Sequence, residues 1–161
     1  MAIPVTRKES LQYCIQQNYL VFPVRKNKKP AFIGYKEDGK TKKSFAYEED
    51  LFKDLEQIEE SNYWNSHSNI GIACGFSNLI VIDCDVKDGK NGINNYLKIL
   101  VDCGLEGLVT RTIRTPTGGR HFYFLNPKGY DIRSVNGIVA DGIDIKTKGG
   151  YVIAPESETD K

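Results

Sequence analysis

Asp83 and Asp85 end the most apolar stretch of the chain, Asn78-Leu79-Ile80-Val81-Ile82-Asp83-Cys84-Asp85. A strand alternates its side chains between faces, so the spacing predicts that both carboxylates point one way, with Ile82 and Cys84 opposite. Two carboxylates side by side repel each other unless a cation or water lies between them. A carboxylate pair closing a buried strand is therefore a candidate site for a hard divalent ion such as Mg2+ or Mn2+.

Two later segments carry complementary chemistry. In Gly142-Ile143-Asp144-Ile145-Lys146, Asp144 alternates with two apolar residues and shares its face with Lys146. On a paired strand it is a candidate third carboxylate, since a two-metal phosphoryl-transfer site needs several acidic ligands. The plainer reading is a surface ion pair. Thr117-Gly118-Gly119-Arg120-His121 combines a tight turn, whose backbone N–H groups can approach an anion, with two side chains that bond phosphate oxygens. The plainer reading there is a hairpin turn with a solvent-facing histidine. His121 and Tyr123 share one face; Phe122 and Phe124 share the other and read as core. His67 lies in a polar loop without an evident partner, and Trp64 reads as a packing anchor.

The elements that must position these residues follow from periodicity. Thr6-Arg7-Lys8-Glu9 has the capping-box pattern and opens a helix over residues 7–18. Tyr19-Leu20-Val21-Phe22-Pro23-Val24 is β-prone, and Pro23 suggests an edge or an end. Residues 25–44 read as a long basic loop. Leu51, Phe52, Leu55 and Ile58 predict one amphipathic helix over residues 47–61. Residues 69–75 and 79–85 read as two strands of a hairpin. A third helix is expected over residues 93–103. Beyond Gly104 the chain reads as paired strands: 110–115 with 120–125, and 143–146 with 151–154, the latter across Thr147-Lys148-Gly149-Gly150. Helices early and strands late predict an α/β (α+β) fold with a mixed or antiparallel sheet rather than a doubly wound parallel one.

At 161 residues, 40% hydrophobic and 27% charged, the chain suits one domain with a real core. No segment approaches a membrane span or carries the apolar core of a signal peptide, so a cytoplasmic location and no membrane partner are expected. Cys14, Cys74, Cys84 and Cys103 form no C-x-x-C pair, which argues against zinc and for reduced thiols. Net charge is +1, yet residues 1–43 hold ten Lys/Arg against three Asp/Glu. Arg25, Lys26, Lys28 and Lys29, with Lys40, Lys42 and Lys43, form a candidate nucleic-acid-binding group; solvated loops are the plainer reading.

Read in order, the segments resemble the prim-pol domain, the N-terminal domain of bifunctional DNA primase/polymerases in the archaeo-eukaryotic primase superfamily. The match runs through Val21-Phe22-Pro23-Val24, Lys26–Pro30, Trp64, Asn69-Ile70-Gly71-Ile72-x-x-Gly75, Val81-Ile82-Asp83-Cys84-Asp85 and Arg114-Thr115-Pro116-Thr117-Gly118-Gly119-Arg120-His121. Gly142-Ile143-Asp144-Ile145-Lys146 and Gly149-Gly150-Tyr151-Val152-Ile153-Ala154-Pro155 complete it. The resemblance covers about residues 10–157 and implies one catalytic domain over residues 1–161. It implies an α/β unit joined to an RRM-like unit, with an active site in the cleft between them. The family often continues past the Ala-Pro stretch, whereas this chain stops at Lys161, as a truncated or naturally short form.

By the same resemblance, Asp83, Asp85 and Asp144 look like the metal-binding carboxylates, for two Mg2+ or Mn2+ ions, and His121 like the family's triphosphate-contacting histidine. Thr117, Gly118, Gly119, Arg120 and Lys146 would help hold the nucleotide. The implied activity is template-dependent nucleotidyl transfer in plasmid, phage or prophage DNA replication, on a single-stranded DNA template with dNTPs or rNTPs. No P-loop is present in these residues, so unwinding would fall to a helicase domain or protein. Two alternatives stay open: a non-catalytic nucleic-acid-binding module derived from a primase domain, and a metal-dependent nuclease or phosphohydrolase using the same acids.

Overall fold

A computed structural model describes residues 5–31, 37–40, 43, 45, 48–126 and 130–160. The elements in chain order are α1 (Val5–Gln16), β1 (Val21–Val24), α2 (Leu55–Glu60), β2 (Asn69–Ala73), β3 (Leu79–Cys84), α3 (Gly92–Asp102), β4 (Arg111–Arg114), β5 (Arg120–Leu125), β6 (Val135–Ala140), β7 (Ile143–Lys146) and β8 (Tyr151–Ile153). They form two antiparallel sheets, β1-β2-β8 and β4-β5-β3-β7-β6, so the fold is the expected α/β type. The chain divides into two compact units, Met1–Ser77 with Tyr151–Lys161, and Asn78–Gly150.

In the first unit, β1 lies at a sheet edge, where Pro23 costs no ladder hydrogen bond. Leu11 and Cys14 of α1 are buried with Val21, Ile70, Ile72 and Val152 of the three strands. Helix α1 already includes Thr6, so Thr6 is not its cap. The single helix expected over 47–61 is instead a 3-10 turn, Glu48–Asp50, and a short α2. Phe52 explains the break: its N–H and carbonyl both bond Val21. Helix α2 then restarts at Asp54, whose side chain accepts from the Gln57 N–H. Tyr47, where the single helix was to begin, lies outside the described residues.

The second unit builds the five-stranded sheet around β3. Strand β3 pairs with β5 on one side and β7 on the other. Two expected hairpins are therefore not hairpins. β2 and β3 join different sheets, as do β7 and β8. Both turns exist, but β3 uses both its edges on β5 and β7. After β7 the chain pairs with residues 133–134: Arg133 bridges Lys148, and the Ser134 N–H bonds the Lys148 carbonyl. The β4–β5 hairpin and α3 lie where the sequence places them. One face of the sheet packs under α3 through Cys84, Phe122 and Ile143 against Tyr96 and Leu100, with the Tyr96 and Phe122 rings 4.4 Å apart.

Candidate active site

Pairing register sorts the side chains of the five-stranded sheet into two sets, because directly opposed residues share a face. Asp83 on β3 lies opposite His121 on β5 and Asp144 on β7. Asn136 on β6 extends this row, opposite Asp144. The next row on that face is Arg111, Tyr123, Val81 and Lys146. The other face is the apolar one beneath α3. One sheet thus has a greasy side that folds it and a side that gathers its polar and charged groups.

The carboxylates on the polar face all meet cationic or imidazole groups. The His121 Nε2 stands 3.3 Å from an Asp83 oxygen. The Lys146 Nζ donates to Asp144 at 2.9 Å and to Asn136 at 2.7 Å. A bulge between Asn136 and Ala140 puts Gly137 in the left-handed region, at φ +63, and its N–H reaches Asp144 at 2.9 Å. Such bulges re-aim backbone groups beside functional sites. The His121 Nδ1 is buried with no hydrogen-bond partner among the described residues.

Asp85 lies just past the end of β3. Its N–H bonds the Gly142 carbonyl at 2.8 Å, and its own carbonyl accepts from Gly92 at 2.9 Å. Only glycine fits at position 92: a Cβ there would run into the Gly142 oxygen and the Asp85 backbone. The Asp85 carboxylate stands 3.6 Å from the Lys90 Nζ. Between the two aspartates, the Cys84 thiol is pushed up to about 12 by burial, with the Asp83 and Asp85 charges adding to it.

The turn of the β4–β5 hairpin abuts this strand end. Gly118 has φ +89, and a Cβ on Gly119 would stand 2.5 Å from the Cys84 carbonyl oxygen. The Gly118 N–H is already used on Thr115, and the Thr115 and Thr117 hydroxyls are 3.3 Å apart. Arg120 is the exception among the expected nucleotide contacts. Its register partners are Cys84 and Arg114, which turns its side chain to the α3 side of the sheet, away from Asp83 and His121.

The structure brings together Asp83, His121, Asp144 and Lys146, and holds Asp85 at the adjoining strand end. Arg25, Lys26, Lys28, Lys29, Lys40 and Lys43 are exposed and belong to the other compact unit; Lys42 lies outside the described residues. Sequence reasoning missed Lys90, Asn136, Arg111 and the whole of β6. The Asp141-Gly142 dipeptide before Ile143 was a hairpin signal for β6. Arg111 sits over the Tyr123 ring, 5.6 Å from its centroid, and burial lowers its pKa.

Hard oxygen donors suit a divalent ion, and the donor set fits one by its chemistry: three carboxylates near one strand end, each balanced by a group a metal could replace. In the structure the oxygens are turned to those groups, and among the described residues no three His, Cys, Asp or Glu side chains close around a common point.

The family model for the N-terminal domain of bifunctional DNA primase/polymerases matches residues 11–161. The chain belongs to that family and is a primase/polymerase-type nucleic-acid enzyme domain. Comparison with curated proteins gives no match. Among the described residues, no helix is long and apolar enough to cross a membrane.

Proposed function

We propose that the polar face of the five-stranded sheet carries template-directed nucleotidyl transfer in DNA replication, from dNTPs or rNTPs. The carrying observation is the row His121–Asp83–Asp144 across three adjacent strands, with Lys146 bonded into it. Asp83, Asp85 and Asp144 would hold two divalent ions, Mg2+ or Mn2+. When bound, these would neutralise phosphate charge and acidify the attacking hydroxyl. Lys146, released from Asp144, is placed to meet a phosphate oxygen. His121 offers a ring nitrogen that has no partner among the described residues, and phosphate oxygens are acceptors for it. The basic loop of Arg25, Lys26, Lys28 and Lys29 is held in shape by Tyr151, whose hydroxyl donates to the Lys28 carbonyl, and is proposed to carry template phosphates with salt-sensitive affinity. Unwinding is assigned to a separate helicase domain or protein.

The test is extension of a primed single-stranded template with dNTPs or rNTPs and Mg2+ or Mn2+, comparing wild type with Asp83→Ala/Asp85→Ala. Unprimed lanes separate priming from extension. Metal-dependent products that vanish in the variant support the reading. Shortened primers would point to a nuclease, and template binding without products to a non-catalytic module.

A further inference from the structure

Arg114 and Arg120 are directly opposed across β4 and β5, and both are exposed. They close the base of the Thr115–Gly119 turn, whose Thr115 N–H bonds the Gly119 carbonyl. Directly opposed residues on antiparallel strands hold their Cβ atoms roughly 5 Å apart, and like charges there are destabilising. None of the ion pairs among the described residues includes either guanidinium. The fold therefore keeps two cations adjacent at a cost, with no acid of its own between them.

The row they terminate shows which way they look. It runs Ile143, Cys84, Arg120, Arg114. Its first two members are buried in the core beneath α3, and its last two are in solvent. The pair thus faces the side of the sheet away from Asp83, His121, Asp144 and Lys146. A nucleotide whose phosphates meet that polar face does not also present them to a pair on the reverse of the sheet. The phosphates left for the pair are those of the polynucleotide.

We propose that Arg114 and Arg120 clamp a backbone phosphate of the nucleic-acid strand, a contact separate from the nucleotide site. Guanidinium suits this role: each offers a planar fork of donors that matches phosphate oxygens, and a phosphate between two of them removes their repulsion. The contact is to backbone, so it carries no sequence preference. It rests on the proposed function for the identity of the strand.

The experiment is fluorescence anisotropy of labelled single-stranded oligonucleotides with the full chain, comparing wild type, Arg114→Gln/Arg120→Gln and Arg114→Lys/Arg120→Lys over a salt series. The Gln pair is expected to bind about tenfold more weakly, the scale of one charge-assisted phosphate contact. The loss should be the same for oligonucleotides of different sequence, and the log–log salt slope should be shallower by about 0.7 to 1. The Lys pair should keep the slope. The Gln pair should melt no lower than wild type, because a repulsion is removed. Unchanged strand affinity and slope in the Gln pair overturn the clamp while leaving the polymerase reading, which the aspartate variants judge separately. Loss of fluorescent nucleotide binding with strand binding intact also overturns it and returns the pair to the nucleotide's phosphates.

Discussion

Lys146 neutralises Asp144 in the structure, and its removal has a calculable cost. Its Nζ is 2.9 Å from Asp144, with the two side chains 20% and 26% exposed, while Asp83 lies directly opposite Asp144. For unit charges roughly 4 Å apart at an effective dielectric near 20, the gross attraction is about 4 kcal/mol. Residual solvent screening, desolvation and side-chain entropy remove more than half, which leaves about 1–2 kcal/mol. Lys146→Met keeps the apolar stem and deletes the charge. At this chain length 1 kcal/mol shifts the melting temperature by about 2–4 °C, so the variant should melt about 2–8 °C lower in EDTA. A divalent ion should then matter more to the variant, because it takes the place of the ammonium that Asp144 has lost. The assay is thermal melting in EDTA and in millimolar Mn2+ for wild type, Lys146→Met and Asp83→Asn/Asp144→Asn. The expected order of Mn2+-induced gains is Lys146→Met above wild type above the Asn pair. Equal melting temperatures for Lys146→Met and wild type in EDTA, or equal gains in all three proteins, would refute the reasoning.

Gly119→Ala should reduce extension activity and stability together, since its Cβ would meet the Cys84 carbonyl at 2.5 Å; a strand end that must yield costs about 1–3 kcal/mol, readable as a lower urea midpoint. Phe122→Ala should cost about 3–5 kcal/mol by removing the ring packed on Tyr96 from the core beneath α3. Of the four cysteines only Cys103 is exposed, so a disulfide reagent at pH 8 should label one thiol in the native protein and four after denaturation. Burial pushes the Cys14 thiol from 9.0 up to about 12. The folded thiol keeps its proton in that window while the unfolded one loses it. Stability must therefore fall as pH rises above 9, and Cys14→Val should show a shallower fall in urea midpoints between pH 9 and 11.

The chemistry was more legible in the sequence than the topology. Alternation alone predicted that Asp83, His121 and Asp144 each point away from neighbouring apolar residues, and the register puts them in one row. Alternation also placed Phe122 on the core side. Partner choice was not legible, because a turn signal marks a reversal without naming the strand that fills the edge. Thr147–Gly150 turns the chain, yet β7 and β8 go to different sheets. The helix over 47–61 failed for a related reason: Phe52 fits the helical period, but its backbone is claimed by Val21. Arg120 shows the limit most clearly. Adjacency to His121 in sequence suggested a shared target, whereas adjacency on a strand means opposite faces.

The most direct test of the central claim is the single-turnover rate of adding one nucleotide to a primed template as Mn2+ is titrated, for wild type and Asp144→Asn. Asp144 is held by Lys146 and the Gly137 N–H, so the isosteric change should leave the fold in place. Saturable, Mn2+-dependent addition by wild type, slowed about 100-fold or more in Asp144→Asn, is the predicted result. Addition at the wild-type rate by a folded Asp144→Asn would contradict the assignment of the reaction to this face of the sheet.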